Sequence, residues 1–135
     1  MSSIVIIGGG LVGAVLAVTL QQQGYKVTVY ERWADPRKAS VGGAKSINLS
    51  LTARGLRAVP EGIKGDVKSL GTKVTGRIIH QRDGAVQFQR YGADDSEFNL
   101  SVSRRALNQL LLARAEEAGV VVHFEYELVE MQVEE

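Results

Sequence analysis

The chain has 135 residues, 44% of them apolar, which predicts one domain with a real core and excludes a disordered chain. The 16 basic side chains nearly balance 15 acidic ones, so a net charge of +1 gives no field that would attract nucleic acid or an anionic membrane. Cysteine is absent, which excludes disulfides, a thiolate nucleophile and a cysteine zinc site. Without a membrane-spanning apolar run or a signal peptide, the sequence predicts a cytoplasmic protein.

The first thirty residues predict a strand–helix–strand unit. Residues 3–7 are β-branched after Ser3 and predict a fully buried strand, which a glycine cluster ends. Residues 11–23 follow a helical period, and Gly24 is typical of a helix end. Residues 25–30 alternate and predict a second strand, so the two strands should be parallel with a right-handed crossover.

The rest of the chain predicts a loop, two more helices and several short strands. We expect the loop over residues 32–45, and a helix that Thr52 caps and Pro60 stops. Residues 61–71 are ambiguous because two glycines weaken a helix there. The predicted helices cover residues 53–59 and 104–118, and the predicted strands cover residues 47–51, 73–80, 86–91, 99–102, 120–126 and 128–133.

A glycine motif opens the first helix. Gly8 permits a tight turn, Gly10 lets a pyrophosphate approach the backbone, and Gly13 lets the helix pack closely on the strand. Glu31 ends the second strand, where a carboxylate can accept hydrogen bonds from a ribose. The pattern predicts dinucleotide binding, against the alternative of an ordinary glycine-rich turn. It leaves FAD and NAD open, and it disfavours NADP because a 2′-phosphate would meet Glu31 as a like charge.

Several later segments, in this order, resemble one enzyme family over nearly the whole chain. The segments read GGGLVG at residues 8–13, SINLSLTARG at 46–55, GRIIH at 76–80, Tyr91-Gly92, and SVSRRALN at 101–108. This series resembles the kynurenine 3-monooxygenase family of flavoprotein aromatic hydroxylases. The resemblance implies an α/β, Rossmann-like FAD-binding fold with a β-hairpin excursion, in which residues 72–103 contribute to a substrate-side sheet.

The resemblance also implies chemistry and site residues. The family uses FAD, NADPH and dioxygen to hydroxylate the ring of L-kynurenine, an aromatic amino acid. The implied substrate-binding residues are Arg77 and Tyr91, which would hold the substrate carboxylate. The implied cofactor-binding residues are Gly8, Gly10, Leu11, Val12, Gly13, Glu31, Arg32, Ser50 and Arg104. No catalytic side chain and no metal ligand is implied.

Two departures from the family pattern affect these expectations. Trp33 stands where the family commonly has an arginine, with Arg32 beside it, which leaves the adenine-side contact open. The chain is also far shorter than the family, so we expect an N-terminal portion: an engineered fragment, a proteolytic remnant or half of a split protein. The sheet edge left open should then be covered by a partner chain or self-associate.

The hairpin offers a test of the substrate pair. A two-residue turn at Asp83-Gly84 would place Arg77 and Tyr91 on opposite faces, whereas a three-residue loop from Arg82 to Gly84 would place them on one face. A shared carboxylate therefore predicts the odd loop, with no acidic side chain on the Arg77 guanidinium.

Two other functions stay open from the sequence. One is a different FAD-dependent aromatic-acid hydroxylase, and the other is a non-catalytic nucleotide-binding chain that needs a partner.

Overall fold

A computed structural model describes residues 2–38 and 47–132, which divide into two units. Unit 1 comprises Met1–Lys45 and Arg105–Glu135, and unit 2 comprises Ser46–Arg104. In chain order the elements are β1 (Ser3–Ile7), α1 (Leu11–Gln22), β2 (Lys26–Glu31), β3 (Asn48–Leu51), α2 (Ala53–Ala58), α3 (Glu61–Ser69), β4 (Thr72–Val74), β5 (Gly76–His80), β6 (Val86–Arg90), β7 (Asn99–Ser103), α4 (Arg104–Glu117) and β8 (Val121–Phe124). No helix within these described stretches is both long and apolar enough to cross a membrane.

Unit 1 contains the predicted strand–helix–strand unit and a third parallel strand. The sheet has the order β1-β2-β8, with both pairings parallel. α1 contacts β1 and β2. The predicted α/β, Rossmann-like start of the chain is therefore confirmed. Within the predicted loop, residues 32–38 hold no helix or strand, and residues 39–45 lie outside the described residues.

The two faces of this sheet differ in burial. Ile6, Val27 and Val29 lie on one face and are at most 8% exposed. Val5 and Ile7 point to the other face and are 60% and 52% exposed. The prediction that residues 3–7 form a fully buried strand was therefore wrong, because the described residues cover one face of β1 and leave the other open. The expectation of a partner chain or self-association stays a prediction.

Unit 2 contains a small antiparallel sheet and a separate hairpin. The sheet has the order β3-β7-β4, and β5 pairs with β6 alone. Thr52 accepts a hydrogen bond from the Gly55 N–H and so caps α2 as predicted. The residues buried in this unit come from α2 and the residue that follows it, from α3 and from β7: Leu56, Val59, Ile63, Val67, Leu100 and Val102.

Three predicted segments differ from the structure or are resolved by it. Residues 73–80 were predicted as one strand, but β4 pairs with β7 while β5 pairs with β6, so the chain changes partner at Thr75. Residues 61–71 were ambiguous from the sequence, and residues 61–69 of them form α3, in which Ile63 and Val67 lie one turn apart and are both buried. The strand predicted at 128–133 is wrong over residues 128–132, which are exposed and pair with no strand among the described residues; residue 133 lies outside them.

A close approach between α1 and the end of β1 gives the first prediction. A Cβ atom at Gly13 would lie 2.0 Å from the Gly8 carbonyl oxygen, so Gly13→Ala must push the helix away from the loop. We expect this variant to lower the free energy of unfolding by about 2–3 kcal/mol, measured by urea denaturation.

Gly65→Ala is the matched control, because a Cβ at this helical glycine meets nothing within 4 Å. It should raise the free energy of unfolding by up to about 1 kcal/mol. Equal free energies of unfolding for the two variants would show that the close approach of Gly13 to Gly8 does not require glycine.

Candidate functional site

The glycine loop presents a row of unpaired backbone donors. Gly8 turns the chain with φ of 102° and donates its N–H to the Tyr30 carbonyl oxygen at 2.8 Å. The next donors belong to the N-cap and first turn of α1: Gly10, Leu11, Val12 and Gly13. None of these four N–H groups has a hydrogen-bond partner within residues 2–38 and 47–132. Unpaired N–H groups and the positive end of the helix dipole together form a site suited to phosphate.

Glu31 is held at this loop by two backbone donors. Its carboxylate accepts the Gly9 N–H at 2.6 Å through Oε2 and the Trp33 N–H at 2.9 Å through Oε1. The side chain is partly buried, and each of its oxygens keeps a lone pair for a further donor. The carboxylate is therefore fixed beside the loop, and its predicted role toward a ribose stays a prediction.

The space beside the Gly10 backbone is open. A Cβ at Gly10 would meet no atom within 4 Å, and its φ of −70° is one that any residue adopts. The fold itself therefore does not require glycine here, whereas a ligand approaching the backbone does.

The segment after β2 is anchored by a buried ion pair. Asp35 is 7% exposed, and its two oxygens accept bonds of 2.8 Å from Nε and Nη2 of Arg37. Arg37 also forms an ion pair with Glu116 of α4 and lies over the Phe124 ring at 5.5 Å. The hydrogen bond from Arg37 lowers the pKa of Asp35 below its ordinary value, and Asp35 raises the pKa of Arg37. This pair ties the segment that follows Glu31 to α4 and β8.

α4 makes further bonds to both loops of unit 1. Gln109 donates to the Pro36 carbonyl oxygen at 2.7 Å, as does Arg105 at 3.2 Å. Asn108 donates from Nδ2 to the Gly9 carbonyl oxygen at 2.9 Å. Asn108 ends the SVSRRALN segment but was not among the residues predicted from the sequence to lie at the site, because its contact with Gly9 joins residues 99 positions apart.

Three other predicted cofactor residues are exposed side chains. Arg32 stacks over the Trp33 ring at 4.9 Å, so an extended cationic and aromatic surface follows Glu31. Ser50 lies in β3 of unit 2, opposite Ser101. Arg104 begins α4, and its guanidinium has no partner among the described residues. The roles of all three toward a cofactor stay predictions.

The hairpin of unit 2 has the odd loop that the sequence predicted. Arg77 pairs with Gln89, which places Gln81 opposite Ala85 and leaves Arg82, Asp83 and Gly84 as a three-residue loop. Gly84 has φ of 86° and donates to the Gln81 carbonyl oxygen at 3.1 Å, as in a type I turn closed by a left-handed residue.

This register places the predicted substrate pair on one face. The Tyr91 N–H donates to the Thr75 carbonyl oxygen at 2.9 Å, so Tyr91 lies opposite Thr75 and diagonal to Arg77. The Arg77 Nε donates to the neutral Gln89 Oε1 at 2.7 Å, and no acidic side chain among the described residues contacts this guanidinium. The Nη1 and Nη2 donors thus remain for a planar anion, and the predicted placement of Arg77 and Tyr91 on one face is confirmed.

The class of the protein follows from comparison with known families. Residues 3–97 match the family described as FAD dependent oxidoreductase. This span exceeds half of the chain, and the chain belongs to this family. FAD is the cofactor of the family, in agreement with the prediction, and the N-terminal glycine loop, Glu31 and the hairpin all lie within the matched span.

Particular relatives are similar at the level of sequence. The chain is 46% identical over 123 residues to a kynurenine 3-monooxygenase of Stenotrophomonas maltophilia, and 46% identical over the same length to one of Xanthomonas axonopodis. These alignments cover 90% of this chain and 27% of each relative. The chain therefore spans about a quarter of the length of these relatives, and the predicted family resemblance is confirmed over that part.

Solved structures agree in fold. A 2-methyl-3-hydroxypyridine-5-carboxylic acid oxygenase superposes with a TM-score of 0.74 at 21% identity, over 93% of this chain and 32% of that one. A probable FAD-dependent monooxygenase of Pseudomonas aeruginosa gives 0.71 at 24% identity, over 100% of this chain and 35% of that one. These likenesses support the Rossmann-like FAD-binding fold.

The Asp35–Arg37 pair predicts a pH dependence of stability. The pKa of Asp35 is lower in the folded chain than its ordinary value of 3.8, which applies to the unfolded chain. The ionised Asp35 therefore stabilises the folded chain above pH 3.8, and this stabilisation is lost as the pH falls through the lower pKa of the folded state. At pH 7, Asp35→Asn should lower the free energy of unfolding by about 2–3 kcal/mol, and the loss should shrink as the pH approaches 2. Urea denaturation at pH 7, 4 and 2.5 measures this.

Asp94→Asn is the control for that series. Asp94 also has a lowered pKa, from its hydrogen bond with Ser96, but it is fully exposed, so solvent screens its interactions. Its replacement should change stability much less than replacement of Asp35. A loss at Asp35 that is independent of pH would contradict the ion-pair argument.

Proposed function

We propose that residues 1–135 form the N-terminal part of the FAD-binding domain of a monooxygenase that hydroxylates L-kynurenine to 3-hydroxykynurenine, using NADPH and dioxygen. The observation that carries the proposal is the 46% identity to kynurenine 3-monooxygenases over 90% of the chain. A cytoplasmic location accords with this chemistry and is part of the proposal.

The chain's own residues would hold the adenosine and pyrophosphate half of FAD. The four unpaired N–H groups of the loop and α1 would donate to the pyrophosphate, and Glu31 would accept from the ribose. Arg32 would lie on the adenine side, as the family resemblance implies. The flavin supplies the redox chemistry when bound, and the protein supplies its position and surroundings.

Arg77 and Tyr91 would hold the carboxylate of the amino acid substrate. Gln89 occupies Nε of Arg77, which leaves the remaining pair of guanidinium donors for a planar acceptor. The Tyr91 hydroxyl, diagonal on the same face, would add a third hydrogen bond. Residues 72–103 would in this way belong to the substrate-side sheet.

Nucleotide binding by the loop is tested with ADP, which carries the adenosine and pyrophosphate groups alone. We expect ADP to shift the backbone amide NMR resonances of the loop and the first turn of α1 in the 135-residue chain. Gly10→Val should abolish this response, because its side chain would occupy the path of the pyrophosphate.

Thermal unfolding serves as the control for Gly10→Val. The variant should unfold near the temperature of the parent chain, because a Cβ at Gly10 meets no atom within 4 Å. A normally folded Gly10→Val chain that binds ADP as tightly as the parent would show that the loop is not the phosphate site.

The substrate role of Arg77 is tested by steady-state kinetics in a protein of the relatives' full length that carries this chain at its N-terminus. Arg77→Ala should raise KM for L-kynurenine by at least about 30-fold, since loss of a charged hydrogen-bonded partner costs roughly 2–5 kcal/mol. Flavin content should be unchanged.

Arg90→Ala is the matched control, because Arg90 lies on the opposite face of the same hairpin and pairs with the exposed Asp95. It should leave KM unchanged. Equal effects of the two variants would remove the argument for Arg77, and flavin reduction stimulated only by a different aromatic acid would reassign the substrate.

A further inference from the structure

The peptide group between Gly9 and Gly10 is fixed from a distant part of the chain. Gly9 is buried, its N–H is bound by Glu31, and its carbonyl oxygen accepts Nδ2 of Asn108 at 2.9 Å. Both hydrogen-bonding groups of Gly9 are thus held by side chains rather than by a neighbouring strand or helix.

The orientation of one donor follows from this bond. In a trans peptide the carbonyl of one residue and the N–H of the next point in opposite directions. Because Asn108 holds the Gly9 carbonyl on the α4 side, the Gly10 N–H must point away from α4, and Gly10 is exposed there. The Gly10 N–H is the first of the four unpaired donors, and its direction is set by this bond.

We propose that Asn108 is a positioning residue of the phosphate-binding loop, acting by fixing the Gly9–Gly10 peptide so that the Gly10 N–H faces the pyrophosphate. Without this bond, glycines on both sides of the peptide would let it rotate, since glycine restricts the backbone least. Ligand binding would then cost the conformational entropy of ordering the loop, whereas the bond from Asn108 orders the loop before the ligand binds. The proposal rests on the loop being the phosphate site.

α4 offers a matched control next to Asn108. Gln109 also donates a side-chain amide to a backbone carbonyl, that of Pro36 at 2.7 Å, and both residues are partly buried. Asn108→Leu and Gln109→Leu therefore each delete one amide–carbonyl bond from the same helix. The Pro36 carbonyl keeps its bond from Arg105, so Gln109→Leu should lower thermal stability no more than Asn108→Leu does.

Two measurements on the 135-residue chain distinguish positioning from stability. The first needs no ligand: amide hydrogen exchange of Gly9 should speed up at least about five-fold in Asn108→Leu and stay unchanged in Gln109→Leu, because a freed peptide loosens the bond to Glu31. The second is the ADP dissociation constant from NMR titration, which should rise about five- to ten-fold in Asn108→Leu only.

Each outcome decides the proposal. If the two variants alter Gly9 exchange and ADP affinity equally, or alter neither, Asn108 is an ordinary structural residue and the proposal fails. If Gly10→Val leaves ADP binding intact, the proposed phosphate site fails whatever Asn108 does. If Gly10→Val abolishes binding while Asn108→Leu does not weaken it, only the role of Asn108 is lost.

Discussion

The contact of α1 with the end of β1 is the constraint on which the rest of unit 1 depends. With 2.0 Å between a hypothetical Cβ at Gly13 and the Gly8 oxygen, only glycine lets the helix begin at this distance from the strand. The helix N-terminus then lies at the carboxyl end of a parallel sheet, which is where open α/β sheets bind ligands. The place of the three first-turn donors, Leu11 to Gly13, beside the end of the sheet follows from that start.

Most side chains at the site in unit 1 form hydrogen bonds to the backbone of neighbouring loops and so fix the positions of those loops. Glu31 holds Gly9 and Trp33, Arg37 holds the turn after β2 through Asp35, and α4 bonds two loop carbonyls. Apart from the exposed bond between Trp33 and Glu31, these bonds are partly buried, and a partly buried hydrogen bond is worth more than an exposed one. A nucleotide that meets such a framework needs little reorganisation of the protein.

The sequence predicted the local parts of this structure well. A strand, a glycine cluster, a helix and a second strand follow one another within thirty residues, and few folds other than a βαβ unit fit that order. In the hairpin, Gly84 after Arg82-Asp83 is typical of the three-residue loop that forms. Prediction failed where the outcome depends on distant neighbours. The apolar pattern of residues 128–132 resembles a strand, but these residues pair with no strand among the described residues. The alternation of residues 73–80 does not show that the chain changes its partner strand at Thr75. The burial of β1 depends on which distant segments pack on each of its faces. Asn108 belongs to the same group, since its partner lies 99 residues away.

The three-residue loop of the hairpin has a consequence for how such chains can diverge in length. Side chains along a strand alternate with a period of two, so losing or gaining one residue between Gln81 and Ala85 would exchange the faces of everything after the turn relative to everything before it. A change of two residues would preserve the faces. Loop tips ordinarily tolerate insertions best, but at this exposed turn the number of residues inserted or deleted should be even. A gap placed here in an alignment of relatives should therefore span an even number of residues, unless a bulge compensates.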